Sequence, residues 1–344
     1  FITIIGNVFL DAGAALYTGA LILKIIFPEI DMMWIIIGMA LMAGTYTIIG
    51  GLSSAINADM IQSIILIAGS VLLSIFCFNS VGGWENFVEH FHDGVWLNLI
   101  RPNSDTTVPW FSIFLSIPIL GFYFWGNNQV IVQRVMSAKT VNEGRLGFLF
   151  VAFLYVFTLF IFIAPGMVGR MIDLFGVGDT LPNEIIGGNT LRAQYGIDTN
   201  EVYPRLILKL LPVGLIGVMI ACMVSALTST LSATLSSVST LFTMDFYKSW
   251  RPESSPRHLV RVGQWTSFIA LVVAVLWAPL IGKFASLVAY YQEFSSYLAP
   301  PIVGTFLVGL FWKGSTRNGA FAGLMSGLAM SALIMTYKFG FGGV

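Results

Sequence analysis

Residues 211–237, LPVGLIGVMIACMVSALTSTLSATLSS, run without a charged side chain. A transmembrane helix needs about 20 mostly apolar residues, so this stretch is long enough to cross a bilayer. Ser225, Ser229, Ser232 and Ser236 recur within it at spacings of four, three and four residues. In a helix this spacing places the four hydroxyls on one face. The stretch therefore predicts a membrane-spanning helix with a polar stripe.

The composition of the whole chain agrees with this interpretation. The 344 residues are 56% hydrophobic and 10% charged, with a mean hydropathy of +0.84, whereas soluble domains carry about 25% charged residues. A soluble globular protein is therefore excluded. The 17 basic residues equal the 17 acidic ones, so nothing favours a nucleic-acid partner. Cys77 and Cys222 lie in apolar runs and are expected to be packing residues.

Apolar runs recur from end to end and predict nine spans. They lack the alternation of barrel strands, so we expect helices and an all-α polytopic membrane protein with a single transmembrane domain over residues 1–344. The chain begins and ends beside apolar segments, so we expect a fragment truncated at both ends. The spans cover approximately residues 1–26, 33–51, 58–79, 110–134, 146–170, 207–240, 259–282, 287–312 and 318–338.

The charges between the spans predict the orientation. With residue 1 on the cytoplasmic side, the inside loops carry nine cations and three acids, and the outside segments carry seven cations and eleven acids. Cytoplasmic loops are normally enriched in lysine and arginine. Residues 80–109 and 171–206 are therefore expected to be extracellular loops.

Three acidic residues fall within the spans: Asp11, Asp59 and Glu293. A charge at membrane depth costs about 2.5–3.5 kcal/mol on insertion scales, and such residues commonly mark a solute or ion pathway. Each of these acids could instead have a purely structural role. Asp59 follows the turn-like residues 50–54 and could cap a helix, Glu293 could reach the interface, and Asp11 could pair with a cation.

Two polar stretches within the spans suggest binding chemistry. The serine stripe could bond to its own helix or to a neighbouring one, or its oxygens could coordinate sodium. Pro118 and Gly121 precede the sequence Phe124-Trp125-Gly126-Asn127-Asn128-Gln129. This segment fits either a proline-kinked helix or a discontinuous helix that lines a cavity. Rings beside amides suit a sugar or polyol.

No enzyme motif is present. There is no H-E-x-x-H motif, and the segment His90-Phe91-His92-Asp93 fits a solvated loop better than a metal site. The phosphate-binding pattern G-x-x-x-x-G-K-[ST] is also absent. We therefore expect a transporter that is coupled to an ion gradient or is passive.

Several segments resemble the sodium:solute symporter family, and especially its sodium/glucose cotransporter branch, in family order over nearly the whole chain. They are residues 46–52 (YTIIGGL), 59–62 (DMIQ), 125–134 (WGNNQVIVQR), 137–139 (SAK), 211–214 (LPVG), 236–248 (SSVSTLFTMDFYK), 291–292 (YQ) and 296–301 (SYLAPP). The resemblance implies a core of two inverted five-helix repeats. It also implies that this chain starts at the third helix of the first repeat.

The resemblance also implies roles for individual residues. Ala226 through its carbonyl, and Ser229 and Thr230 through their hydroxyls, align with sodium ligands. Asp59 and Ser232 align with residues linked to a second sodium in some members, although Ala233 replaces a hydroxyl-bearing residue there.

On the solute side, Gln292 aligns with a sugar-binding glutamine and Trp125 with a tryptophan beside the site. Phe124 aligns with the inner-gate tyrosine and lacks its hydroxyl. Tyr155 replaces a lysine, and Asp11 replaces an asparagine or lysine. Gly121 offers no side chain at a sugar-contacting position. These departures leave open a different sugar, a polyol or a cationic solute.

The sequence thus predicts a symporter in the plasma (inner) membrane, in contact with lipid. Its coupling ion is Na+, and its partner is a small polar solute, most simply a sugar or polyol. Alternatives are an amino-acid, sialate or other organic-ion symporter, and a non-transporting membrane sensor on the same scaffold.

Overall fold

The computed structural model describes residues 2–92, 98, 100–104, 109–175, 199–284 and 286–340. These residues form helices and turns, and none of them forms a β-strand. The predicted all-α fold is therefore confirmed. Residues 93–97, 99, 105–108 and 176–198, which belong to the predicted extracellular loops, lie outside the described residues.

The helices are labelled in chain order. They are α1 (Ile2–Ile26), α2 (Met32–Ser80), α3 (Gly83–His92), α4 (Trp110–Asn127), α5 (Gln129–Met136), α6 (Val141–Gly169), α7 (Val202–Leu210), α8 (Val213–Trp250), α9 (Pro256–Ile281), α10 (Leu287–Phe311) and α11 (Arg317–Gly340). Helical structure continues from α6 to Phe175.

Eight segments among the described residues are long and apolar enough to cross a membrane. They lie in α1, the second half of α2, α4, α6, α8, α9, α10 and α11. The apolar segment Met32–Thr45, in the first half of α2, is shorter and corresponds to the remaining predicted span. The chain is therefore a multi-pass membrane protein.

Helix α2 differs from the prediction. A turn was expected at residues 50–54, between the second and third spans, but one helix runs through Met32–Ser80. A glycine inside a helix costs only about 1 kcal/mol relative to alanine, so the pair Gly50-Gly51 need not end it. Asp59 consequently lies in the interior of a helix, and the capping interpretation of Asp59 is wrong.

The two predicted loops contain short helices that pack onto the core. Helix α3 buries Phe87 and Phe91, and α7 buries Leu206 and Ile207. These four side chains share a hydrophobic cluster with the second half of α2 and the start of α8. Helix α7 is further fixed by the Tyr203 hydroxyl, which donates to Ser70 Oγ at 3.1 Å.

The larger core cluster forms where α1, the first half of α2, α8 and α9 meet. It contains small and branched residues from all four helices, and Tyr290 of α10 joins it with its side chain fully buried. Small side chains let helix backbones approach closely in a membrane. The contact between these four helices fixes the positions of α1 and α8, which carry the polar residues of the candidate sites.

Within the described part of the chain, four spans contain π-helical turns. They are Asn7–Ala12 in α1, Tyr123–Asn127 in α4, Leu159–Ile163 in α6 and Phe242–Tyr247 in α8. A π-turn interrupts the regular hydrogen-bond ladder and occurs frequently at functional sites. Asp11 lies in the first of these turns, and Phe124 and Trp125 lie in the second.

Candidate functional site

Of the two interpretations of this segment, the structure shows the discontinuous helix, and its break lies at Asn128. Pro118 and Gly121 are accommodated inside the helical segment Ser116–Phe122. The backbone becomes extended at Asn128, with φ −71° and ψ 115°, and this separates α4 from α5. Asn128 Oδ1 then accepts a hydrogen bond from the Val130 amide at 2.9 Å, which caps the start of α5.

Asp11 faces this break from α1. Its Oδ1 accepts a hydrogen bond from the Tyr291 hydroxyl of α10 at 2.8 Å. The side chain of Asn128 lies near the same carboxylate, and Asn128 is 5% exposed. Within the described part of the chain these two neighbours of Asp11 are neutral. Three helices thus bring a carboxylate, an amide and a phenol together, and we call Asp11, Asn128 and Tyr291 the solute cluster.

Aromatic rings border the solute cluster. The Phe124 and Tyr291 ring centroids are 5.7 Å apart, so Phe124 lies directly beside the cluster. Trp125 points to α6, where its ring meets Tyr155 at 5.3 Å in a T-shaped contact. The structure therefore brings Asp11 and Phe124 together and places Trp125 and Tyr155 in an adjoining pair.

Gln292, the predicted sugar-binding amide, follows Tyr291 on α10 and has an exposed side chain. Tyr155 is also largely exposed, at 57%. Neither residue is held by the hydrogen bonds that define the solute cluster. Their side chains are accessible, whereas Asp11 and Asn128 are enclosed by neighbouring helices.

The predicted sodium ligands meet α2 at a second polar cluster. The Ser229 hydroxyl donates a hydrogen bond to Asp59 Oδ1. Arg134, near the end of α5, places Nη2 at 2.9 Å from Asp59 Oδ2. We call Asp59, Arg134 and Ser229 the ion cluster. It joins α2, α5 and α8 by charge and hydrogen bonding between partly buried side chains.

The remaining predicted sodium ligands lie on the same part of α8. The Thr230 hydroxyl donates to the Ala226 carbonyl at 2.9 Å, one helical turn earlier. Ser232 is 1% exposed and is packed within α8's buried face. The described hydrogen bonds bring Ser229 to Asp59 and leave Ser232 outside the ion cluster.

Roles for Tyr291, Asn128 and Arg134 were not predicted from the sequence. Asn128 and Tyr291 lie within segments that resemble the family, and the run of amides was a usable signal for Asn128. Arg134 was counted among the nine cytoplasmic cations because it ends the predicted span 110–134. Its pairing with Asp59 joins two separate helices, and no spacing in the sequence indicates it.

The arrangement offers two kinds of chemistry. Carbonyl and hydroxyl oxygens next to a carboxylate suit a hard cation such as sodium. A carboxylate, an amide and a phenol beside an aromatic ring suit a solute that carries several hydroxyls, because each group can exchange hydrogen bonds with a hydroxyl. No group of three metal-binding side chains of the His, Cys, Asp or Glu type occurs among the described residues.

Comparison with known proteins agrees with these features. The sodium:solute symporter family model matches residues 2–327. Similar curated proteins include mouse solute carrier family 5 member 4A, 34% identical over 97% of this chain and 54% of its own length. Bovine sodium/mannose cotransporter SLC5A10 is 32% identical over 97% of this chain and 58% of its own. Human sodium/myo-inositol cotransporter 2 is 32% identical over 96% of this chain and 51% of its own length.

The chain spans about half the length of the curated relatives it matches. Among solved structures, it is similar to a Na+-coupled sialic acid symporter in a substrate-bound outward-open state, with a TM-score of 0.71 and 22% identity. That match covers 99% of this chain and 74% of the other. It supports the fold that this symporter has, and the family that matches the chain is a family of symporters.

Proposed function

The chain belongs to the sodium:solute symporter family, and from this premise we propose that it moves a small polar solute across the membrane together with sodium. The solute is a sugar or polyol, and transport proceeds by alternating access. One sodium ion that crosses a potential of 100 mV releases about 2.3 kcal/mol. This energy corresponds to a solute accumulation of some tens-fold, since each 1.4 kcal/mol is about a factor of ten.

The observation that carries the proposal is the ion cluster beside a broken helix. The Ala226 carbonyl and the Ser229 and Thr230 hydroxyls lie within little more than one turn of α8, and Ser229 is bonded to Asp59. We propose the three α8 groups as sodium ligands. Asp59 supplies the negative charge that favours a cation there. Ser232, which the resemblance linked with Asp59 to a second ion, lies outside the ion cluster and is not part of this sodium site.

For the solute, the proposal rests on the solute cluster and its rings. Asp11, Asn128 and Tyr291 offer hydrogen bonds, and Phe124 offers a ring face for the C–H side of a sugar or cyclitol. Gln292, Trp125 and Tyr155 complete the candidate site along the exposed side. Relatives named as mannose and myo-inositol cotransporters support a polyhydroxylated solute for this chain.

A second candidate is an organic-ion symporter, and the similarity to a sialic acid symporter is the observation that favours it. The Asp11 carboxylate argues against an anion, because its described partners are neutral and would leave two like charges close together. An amine-bearing solute would instead be attracted to Asp11. A non-transporting sensor on the same scaffold would bind ligands and show no uptake.

Uptake into proteoliposomes tests the proposal, with the protein expressed from its complete reading frame. The panel contains myo-inositol, mannose, glucose, an amino acid and sialic acid, each with an inward sodium gradient or with potassium in its place. We expect sodium-dependent uptake of a sugar or polyol. Uptake that is indifferent to sodium would contradict the symporter assignment, and exclusive uptake of a charged solute would contradict the solute class. Surface labelling of intact cells tests the proposed plasma-membrane location.

A further inference from the structure

Helix α5 touches both candidate clusters, one at each end. Its capping residue Asn128 lies beside the Asp11 carboxylate in the solute cluster. Near its other end, Arg134 contacts Asp59 in the ion cluster. The helix has eight residues and a length of about 12 Å. Between Gln129 and Met136 no glycine or proline interrupts the helix, so we expect a displacement at one end to reach the other.

The contact at the ion cluster is an incomplete ion pair. Arg134 Nη2 lies 2.9 Å from Asp59 Oδ2, and the two side chains are 36% and 20% exposed. Asp59 Oδ2 and Arg134 Nε are nevertheless buried atoms that lack a hydrogen-bond partner. The two side chains are therefore held together by opposite charge at contact distance. One carboxylate oxygen of Asp59 and the Nε atom of Arg134 can still form hydrogen bonds. Asp59 can use this capacity for a second cation without first breaking a complete hydrogen-bond network.

A sodium ion at the α8 ligands would act on this pair directly. Ser229 is bonded to one oxygen of Asp59, so an ion held by Ser229 lies next to the carboxylate that Arg134 neutralises. The ion would attract Asp59 and repel the Arg134 guanidinium, since like charges at short range in a low dielectric interact strongly. Movement of Arg134 would carry α5 with it and change the position of Asn128 beside Asp11.

We propose that α5 couples sodium binding to solute binding, with Arg134 as the positioning residue at its sodium end. The proposal rests on the sodium–solute symport proposed above. Arg134 competes with sodium for the Asp59 carboxylate. When sodium displaces Arg134, α5 moves, and Asn128 at its other end changes position beside Asp11. Because linkage is reciprocal, solute binding at Asp11 and Asn128 must alter sodium affinity by the same factor.

The test measures the sodium concentration for half-maximal thermal stabilisation of the purified full-length protein, with and without saturating myo-inositol plus mannose. The ratio of the two values is the coupling factor, and allosteric couplings are typically about 5- to 150-fold. We expect a ratio of at least several-fold in the wild type. It should fall close to one in Arg134→Gln and be partly restored in Arg134→Lys, which keeps the charge.

Arg205→Gln is the matched control. Arg205 pairs with Glu201 at 2.5 Å, and these side chains are 32% and 19% exposed, close to the values for Arg134 and Asp59. This pair lies at the start of α7, with Glu201 directly before the helix, and is outside both clusters. Its loss should therefore leave the coupling factor unchanged. A loss of coupling in this control equal to that in Arg134→Gln would show that any missing ion pair suffices and would overturn the proposal.

The double variant Asp59→Asn, Arg134→Gln tests the same proposal if the single variant Arg134→Gln does not fold. It removes both charges together and leaves no unpaired charge in the interior. We expect its coupling factor to be close to one. If this variant keeps the wild-type coupling factor, the proposed role of α5 is wrong, and the symport proposal is unaffected. A wild type in which sodium and these probes show no linkage would contradict the proposed symport as well.

Discussion

At the scale of single residues, the hydroxyls of Ser229 and Thr230 are occupied as donors and remain available as acceptors. Ser229 donates to Asp59 and Thr230 to the Ala226 carbonyl. A hydroxyl has one proton and two lone pairs, so donating a hydrogen bond leaves its oxygen able to coordinate a cation. The hydrogen bonds in the structure therefore orient these oxygens and are compatible with a role as sodium ligands.

Ser229→Ala and Thr230→Ala should each raise the sodium concentration for half-maximal uptake, and Ser232→Ala should do so less. Losing one oxygen from a small coordination shell is costly because a dehydrated ion finds no substitute ligand. Ser326→Ala is the matched control, since that hydroxyl bonds only within its own helix to the Gly323 carbonyl. Unchanged sodium dependence in both the Ser229 and Thr230 variants would assign the stripe to helix packing.

Gln292→Ala should weaken apparent solute affinity about five- to 150-fold. Gln292 is exposed in the structure, and the cost arises when the site closes around the solute. Hydroxyls left unpaired there cost roughly 1–3 kcal/mol, which converts to that range at 1.4 kcal/mol per factor of ten. Sodium affinity measured without solute should barely change. The measurement is the concentration dependence of uptake. An equal loss of sodium affinity without solute would indicate a general structural defect instead.

Asp11→Asn separates a neutral solute from a cationic one. Asparagine keeps an oxygen that can accept the Tyr291 hydroxyl and has the same size, so a sugar or polyol should still bind. A cationic solute would lose its counter-ion and most of its affinity. If only an amine-bearing solute is taken up, and only with Asp11 intact, the sugar assignment fails while the sodium-symporter assignment stands.

At the scale of elements, the π-turn in α1 is held by a tyrosine from a distant helix. The Trp277 indole donates to the Tyr290 hydroxyl at 2.7 Å. That hydroxyl in turn donates to the Phe9 carbonyl at 2.8 Å. The widened turn thus obtains an external partner for one carbonyl, and the neighbouring Tyr291 reaches Asp11 from the same helix. Two consecutive tyrosines of α10 therefore fix the backbone and the side chain of this turn.

Tyr290→Phe should lower the thermal stability of the detergent-solubilised protein. The change leaves the Phe9 carbonyl and the Trp277 N–H without this hydroxyl, and each unpaired buried group costs about 1–3 kcal/mol. Tyr155→Phe serves as the control because Tyr155 is 57% exposed and water can replace its hydroxyl. Equal melting temperatures for the two variants would show that the π-turn does not depend on this contact.

At the scale of the whole molecule, the loop charges predict which ends of the helices face the cytoplasm. Single cysteines at Ser254 and Asn103, in a background without Cys77 and Cys222, should label from opposite sides of the membrane. Three candidate spans, in α4, α6 and α8, separate the two positions, and an odd number of crossings changes sides. The measurement is labelling by an impermeant thiol reagent in oriented vesicles. Same-side labelling would contradict the predicted orientation.

The helical class, the approximate spans and the family could be predicted from the sequence because they depend on local properties. A run of about 20 apolar residues is stable in lipid only as a helix, whatever surrounds it. The segments that resemble the family carry their information in residue order. The same local signals placed Asp11, Asp59 and the hydroxyls of α8 in the membrane as candidates for function.

Only the tertiary structure decided how these candidates combine. Ser229 and Asp59 are 170 positions apart, and Tyr291 and Asp11 are 280 apart, so no spacing in the sequence relates them. The continuity of α2 through residues 50–54, the π-turns and the break at Asn128 depend on packing against other helices. Local propensities of about 1 kcal/mol are too small to determine these features. The sequence by itself thus determined which segments enter the membrane, and the packing of the helices determined which polar groups meet there.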